Sequence, residues 1–171
     1  MSSLDELKNS FIAHWGEMGS KWGISRDVAE LHALLYLSDA ALSKTEIAER
    51  LGRNPEGLDS GLLELTRWGL AHESKEDGAQ RYKAEHDVLT MLKLIAEERR
   101  KQELDPTLQM LKTFLDRLST FEESAERNEI ERGVKDLYEF LLSVSSLYDR
   151  ARKLPLPLIK KLLKLDKQLE K

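Results

Sequence analysis

Between Ser43 and Ala84 the chain carries a series of backbone signals in an order that few folds accommodate. Ser43-Lys44-Thr45-Glu46 has capping-box spacing, in which a hydroxyl takes the N–H three residues on and the glutamate reaches back. It predicts a short helix with Ile47, Ala48 and Leu51 inward and Gly52 just past its end. Asn54-Pro55 then places a good N-cap before a proline at the first helical position, where the missing N–H costs nothing. A second helix follows, burying Leu58, Leu62 and Leu65 at steps of four and three and stopping near Trp68-Gly69. Leu70–Ser74 and Gln80–Ala84 read as strands around Lys75–Ala79, where Asp77-Gly78 supplies the freedom for a tight reversal. Short helix, glycine turn, second helix and hairpin make a winged helix-turn-helix with a small β-hairpin wing.

Around that segment the pattern is helical, so the expected class is mainly α. Ser3 and Glu6 form another capping box, followed by Leu4, Leu7, Phe11, Trp15 and Met18 at helical steps and an end at Gly19. Arg26 to Leu37 predicts a second helix presenting Val28, Leu31 and Leu35. Beyond Asp87, Val88, Met91, Leu92 and Ile95 share a face up to the charged run Glu97–Lys101, and Asp105-Pro106 predicts a kink or restart. Leu104, Leu108, Leu111, Leu115 and Leu118 repeat at alternating steps of four and three. Ile130, Val134, Leu137, Leu141, Val144, Tyr148 and Ala151 do the same. Two such seams are expected to pack on each other and on a second copy, because a lone helix pair leaves much apolar surface wet. Pro155 and Pro157 end the long helix, and Leu158, Leu162, Leu165 and Leu169 mark a terminal amphipathic helix. The expected division is a winged helix-turn-helix domain at 1–86 and a helical dimerisation region at 87–171.

Composition removes several classes of function. With no cysteine, disulfides, Cys-rich zinc sites, iron–sulfur clusters and thiol nucleophiles are excluded. No apolar stretch approaches the ~20 residues of a membrane span, and the first residues lack signal-peptide character, so the expected location is cytoplasmic. Phosphate-binding glycine loops and the nucleophile elbow are missing, which leaves no catalytic constellation and no cofactor motif; the chain reads as a non-enzyme. His14, His32, His72 and His86 are dispersed and suggest no metal site. Trp15, Trp22, Trp68 and Tyr36 read as packing residues. The formal net charge of -4 gives no global attraction to nucleic acid, so DNA binding needs a local basic surface. The last 21 residues hold seven Lys or Arg against two acids, and this basic helix is expected to pack on the acidic body or the other subunit.

The chain resembles the GbsR-like branch of the MarR-type transcriptional regulators over about residues 11–103. The resemblance rests on Trp15-Gly16-Glu17-Met18-Gly19 with Gly23, on Leu34-Leu35-Tyr36-Leu37-Ser38, and on Ile47-Ala48-Glu49-Arg50-Leu51-Gly52. It continues through Leu62-Leu63-Glu64-Leu65-Thr66-Arg67-Trp68-Gly69-Leu70 and Tyr82-Lys83-Ala84-Glu85-His86-Asp87, in family order. It implies a homodimer joined through terminal helices, with paired recognition helices and wings on operator DNA. It also implies a repressor-like role, responsive in some members to a small-molecule effector. Through that family's osmolyte-linked members it suggests an aromatic cage as a second use for the three tryptophans and Tyr36.

Lys44, Thr45, Arg53, Asn54, Ser60, Arg67, Lys75, Arg81 and Lys83 are the candidate contacts to double-stranded DNA, with Arg81 and Lys83 foremost because alternate strand positions share a face. The reading segment departs from the basic pattern of that family. Glu56 and Asp59 lie where phosphates would approach, Gly57 and Gly61 weaken the helix, and residues 39–85 hold seven Lys or Arg against ten Asp or Glu. Two readings therefore stand: a DNA-binding regulator, or a winged-helix protein-interaction module whose acidic recognition helix meets a basic partner.

Overall fold

Helix α2 (Arg26–Tyr36) is apolar round most of its circumference: Val28, Ala29, Leu31, Ala33, Leu34 and Leu35 are all buried. A helix of that kind must be surrounded. In the computed structural model, which describes residues 3–76, 78–155, 157–159 and 161, α2 is the axis of the first of two compact units, residues 1–94 and 95–171.

Helix α1 (Leu4–Lys21) opens with the expected capping box: the Ser3 hydroxyl accepts from the Glu6 N–H at 3.2 Å, and the Ser3 N–H donates to the Glu6 carboxylate at 2.9 Å. Its packed face is Ile12, Gly16 and Gly19, not the larger stripe. A Cβ on Gly19 would stand 2.5 Å from the Cβ of Ala29, so only glycine lets the two helices approach this closely. That close approach turns Leu4, Leu7 and Phe11 outward, and Gly19 sits inside the helix, which runs on to Lys21.

Strand β1 (Leu42–Ser43) leads into α3 (Lys44–Leu51), whose capping box is also complete, with Ser43 N donating to Glu46 at 2.7 Å. Gly52 takes φ +63°, the left-handed turn the sequence anticipates. Asn54 caps Glu56 at 3.2 Å, two residues on, and this tighter closure makes Pro55–Leu58 a single 3-10 turn before helix α4 (Asp59–Arg67). Leu31, Leu35, Ile47, Leu62 and Leu65 are the largest fully buried side chains and join α2, α3 and α4 in one core.

Strands β2 (Ala71–Glu76) and β3 (Ala79–Ala84) pair antiparallel from Ala71↔Ala84 to Glu76↔Ala79, so the hairpin extends further toward Gly78 than the expected loop. Gly78 has φ +78°, the conformation a tight reversal needs. β1 adds a third strand, Leu42↔Tyr82 and Ser43↔Arg81, giving the order β1-β3-β2.

Helix α5 (Val88–Arg99) buries Met91 while Val88 and Leu92 stay exposed. Asp105-Pro106 does not break the chain: one π-type turn, Arg100–Leu104, carries it into α6 (Asp105–Leu118), with the proline in its first turn. In the second unit α6 packs on α7 (Ala125–Ala151), with Leu111 and Ser145 buried. Arg127 donates to the Leu118 carbonyl at 3.2 Å, a cation closing the C-terminal end of α6. Arg100 joins the π-type turn to α7 by pairing with Asp149, and lies 5.3 Å from the Tyr148 ring centroid.

The expected α7 seam is split. Val134, Leu141 and Tyr148 are half-buried, but Ile130, Leu137 and Val144 are exposed with Phe140 and Leu147. One neighbouring helix covers only part of so broad an apolar stripe. Of the expected terminal amphipathic helix, residues 157–159 and 161 are helical, and Leu162, Leu165 and Leu169 lie outside the described residues. Among those described, no helix is long and apolar enough to cross a membrane.

Candidate nucleic-acid interface

Burial of Leu58, Leu62 and Leu65 fixes which way α4 faces. Outward go Glu56 and Gly57 from the 3-10 turn, then Asp59, Ser60, Leu63 and Arg67. Leu63 is 65% exposed, a bare apolar residue in the middle of the presented face. Lys44, the first residue of α3, places its ammonium 2.8 Å from the Asp59 carboxylate, and this hydrogen bond raises the lysine pKa above its ordinary value. The pair brings the starts of α3 and α4 together, with Thr45 and Ser60 exposed beside it. Asn54 spends its side-chain oxygen on the cap of the 3-10 turn.

The remaining cations divide into two groups. Arg53 points back into the fold, pairing with Asp27 at 2.9 Å and with Glu30, which also takes the Arg26 guanidinium at 2.7 Å. Arg81 donates to the Ala41 carbonyl and to Glu46, both at 3.0 Å, with Glu76 at 3.7 Å. It fastens the wing to the start of α3. The Ser43 N–H and hydroxyl, and then Arg81, hold the Glu46 carboxyl below its ordinary pKa. Arg67, Lys75 and Lys83, by contrast, are exposed and make no ion pair among the described residues. Lys83 stands across from His72 and Lys75 across from Gln80, so strand alternation sets the two lysines on opposite faces of the ribbon. Arg81 and Lys83 share a face, and of the two only Lys83 makes no ion pair among the described residues.

Leu63 is absent from the candidate contacts, although it falls off the 58–62–65 repeat that defines the buried face. The aromatic residues do not converge. Trp68 is buried, Trp15 stacks on Phe11 at 5.5 Å, and Tyr36 stacks on His86 at 5.3 Å. Trp22 departs from the packing expectation at 63% exposure, because it caps the end of α1 past the packed face. Among the described residues no group of three His, Cys, Asp or Glu could hold a metal ion.

No family model matches the chain, and no curated protein matches it in sequence. Among solved structures, the chain is similar to a crystal structure of a transcriptional regulator, with a TM-score of 0.65 and 13% identity over 85% of this chain and 95% of that one. A complex of Staphylococcus aureus MepR with DNA aligns at 18% identity and a TM-score of 0.39, covering 81% of this chain and 91% of that one. A point mutant of MepR bound to an oligodeoxyribonucleotide aligns at 15% identity and the same TM-score, covering 81% and 93%. The architecture is that of a winged helix-turn-helix with a helical region, the fold class its sequence pattern calls for.

Proposed function

We propose that the chain is a homodimeric DNA-binding transcriptional regulator of the MarR type, in its GbsR-like branch, acting in the cytoplasm as an effector-responsive repressor. The observation that carries this reading is the exposed face of α4, ending in Arg67 and flanked by a wing with Lys75 and Lys83, three exposed cations that make no ion pair among the described residues. The fold it shares with a solved transcriptional regulator supports the reading. Two α4 helices would read half-sites about one DNA turn apart while the wings hold flanking phosphates. Arg53 and Arg81 act in this scheme as fasteners of the fold, and Lys44 neutralises Asp59 so that the helix start does not repel the backbone.

Anisotropy titration against genomic fragments tests it. Lys83→Ala and Arg67→Ala should each weaken binding at every sequence and lower the salt slope by about 1. Indifference to every fragment at low salt would reject the reading.

One observation favours a second reading, a protein-interaction module. Leu63 lies bare between Asp59 and Glu64 on a helix face with no unpaired cation before Arg67. An apolar centre with an acidic surround suits a partner with a basic, partly apolar surface. A stoichiometric basic partner lost on Leu63→Ala, together with no DNA binding, would establish that reading in place of the first.

A further inference from the structure

Helix α1 outruns its partner. Steps of three and four back from the buried Ile12 lead along the same face to Asn9, Lys8 and Asp5, all exposed, because α2 ends at Tyr36. The face that packs tightly through Gly16 and Gly19 therefore becomes polar where its neighbour stops. Between it, the end of α2, the 38–42 segment and Arg50 of α3 lies a cleft of about 600 Å³. That volume is within the usual span of small-molecule sites, roughly 300–1,000 Å³.

Its lining is balanced in charge. Asp5, Lys8, Asp39 and Arg50 border it, while Ile12, Leu34 and Leu42 form an apolar floor. Elsewhere in this unit several half-buried cations find acids, Lys44 with Asp59, Arg53 with Asp27 and Glu30, Arg81 with Glu46, while the exposed Arg67, Lys75 and Lys83 make no ion pair among the described residues. Around the cleft, none of the four makes an ion pair among the described residues, and Arg50 reaches only the Ser38 hydroxyl at 3.5 Å. Two cations and two anions held apart over an apolar floor match a solute that carries both charges at one end and a hydrocarbon at the other. Arg50 and Asp39 both border the cleft near Ser38, Arg50 through its contact with the Ser38 hydroxyl and Asp39 as the next residue in the chain, so this end of the cleft offers a guanidinium and an acid that are not paired with each other.

We propose that this cleft binds a free amino acid with an aliphatic side chain, its carboxylate on the Arg50 fork, its ammonium on Asp39 and its side chain over Leu34 and Leu42. A guanidinium meets a carboxylate through two parallel hydrogen bonds, which gives Arg50 that role ahead of Lys8. Arg50 lies in the last turn of α3, four residues before the Asn54 cap of the 3-10 turn that leads into α4. That the amino acid acts as an effector rests on the regulator reading above; its binding does not.

Calorimetric titration of the full chain with leucine tests the binding, beside leucinamide, which lacks the carboxylate, and 4-methylpentanoate, which lacks the ammonium. Leucine should saturate, and each half-charged analogue should bind at least about tenfold more weakly. Arg50→Gln should abolish the preference for leucine over leucinamide, and Asp39→Asn the preference over 4-methylpentanoate. Backbone amide shifts of the unsubstituted chain provide a reading that needs no variant, with changes expected at residues 5–12 and 37–42. The proposal falls if leucine, isoleucine and methionine all give neither heat nor shifts. It falls equally if the shifts lie elsewhere, or if both variants bind leucine as the unsubstituted chain does. No DNA enters the titration, so this failure and failure of the regulator reading are separately visible.

Discussion

His32 stands at the centre of the α2 core, 6% exposed, with its Nε2 buried and without a hydrogen bond among the described residues. Desolvation, and secondarily the nearby His86, push its pKa down to about 4, so the folded state holds it neutral. The unfolded chain protonates it near pH 6.5, which means stability is full above that pH and declines as pH falls toward 4. At about 1.4 kcal/mol per pH unit the loss approaches ~3 kcal/mol by pH 4. Urea midpoints at pH 7 and pH 4.5 should differ for the unsubstituted chain by more than for His32→Met, which keeps the volume and removes the titration. Equal differences would mean that carboxylates elsewhere carry the acid sensitivity. Arg81 teaches a related lesson. From spacing alone it is equivalent to Lys83, yet Ser43 pairs with it in the register and Glu46 lies within reach, so the third strand decides that one cation is spent and the other free.

The two glycines of the reading segment look alike in sequence and differ in place. A Cβ at Gly57 would meet nothing within 4 Å, whereas one at Gly61 would stand 3.1 Å from Cδ2 of Leu31, in the centre of the core. Gly57→Ala should therefore stabilise by about 0.5–1 kcal/mol, through the unfolded chain and helix propensity. Gly61→Ala should destabilise by about 1 kcal/mol, because overpacking against a rigid neighbour outweighs the propensity gain. Urea midpoints at constant m check both, and a stabilised Gly61→Ala would show that α4 can shift off α2. What the sequence conveys well is whatever is local. Both capping boxes, the Gly52 turn, the Asn54 cap and the hairpin reversal each rest on a few consecutive residues and their backbone chemistry. Facing is poorly conveyed when small residues compete with large ones. On α1, Gly16 and Gly19 win the packed face because closeness between backbones is worth more than the size of Phe11 or Leu7. The cleft beside Arg50 is invisible in sequence for a similar reason, since it depends on α2 stopping before α1 does.

The second unit carries more apolar surface than one subunit covers. Ile130, Leu137, Phe140, Val144 and Leu147 are each at least 40% exposed, and Leu154 beyond them is 41% exposed. Steps of seven, three, four and three connect the five in α7, which is a heptad seam lying beside the one turned to α6. Within α7 the seam runs from Ile130 to Leu147, which at ~1.5 Å per residue is roughly 26 Å. A stripe that long and about 10 Å wide covers on the order of 260 Å² per copy, about a third of what a stable interface buries on each partner. In the first unit, taken by itself, the outward Leu4, Leu7 and Phe11 of α1 form another exposed apolar stripe. Self-association predicts a dimer in sedimentation equilibrium at micromolar concentration. Phe140→Lys with Leu147→Lys should give a monomer with unchanged helical circular dichroism, since neither side chain contributes to the packed face against α6. Leu63→Ala, equally exposed but on α4, should leave the dimer intact. A seam-intact chain that stays monomeric at every concentration would refute the dimer, and with it the fixed spacing of two reading helices that recognition of paired half-sites demands.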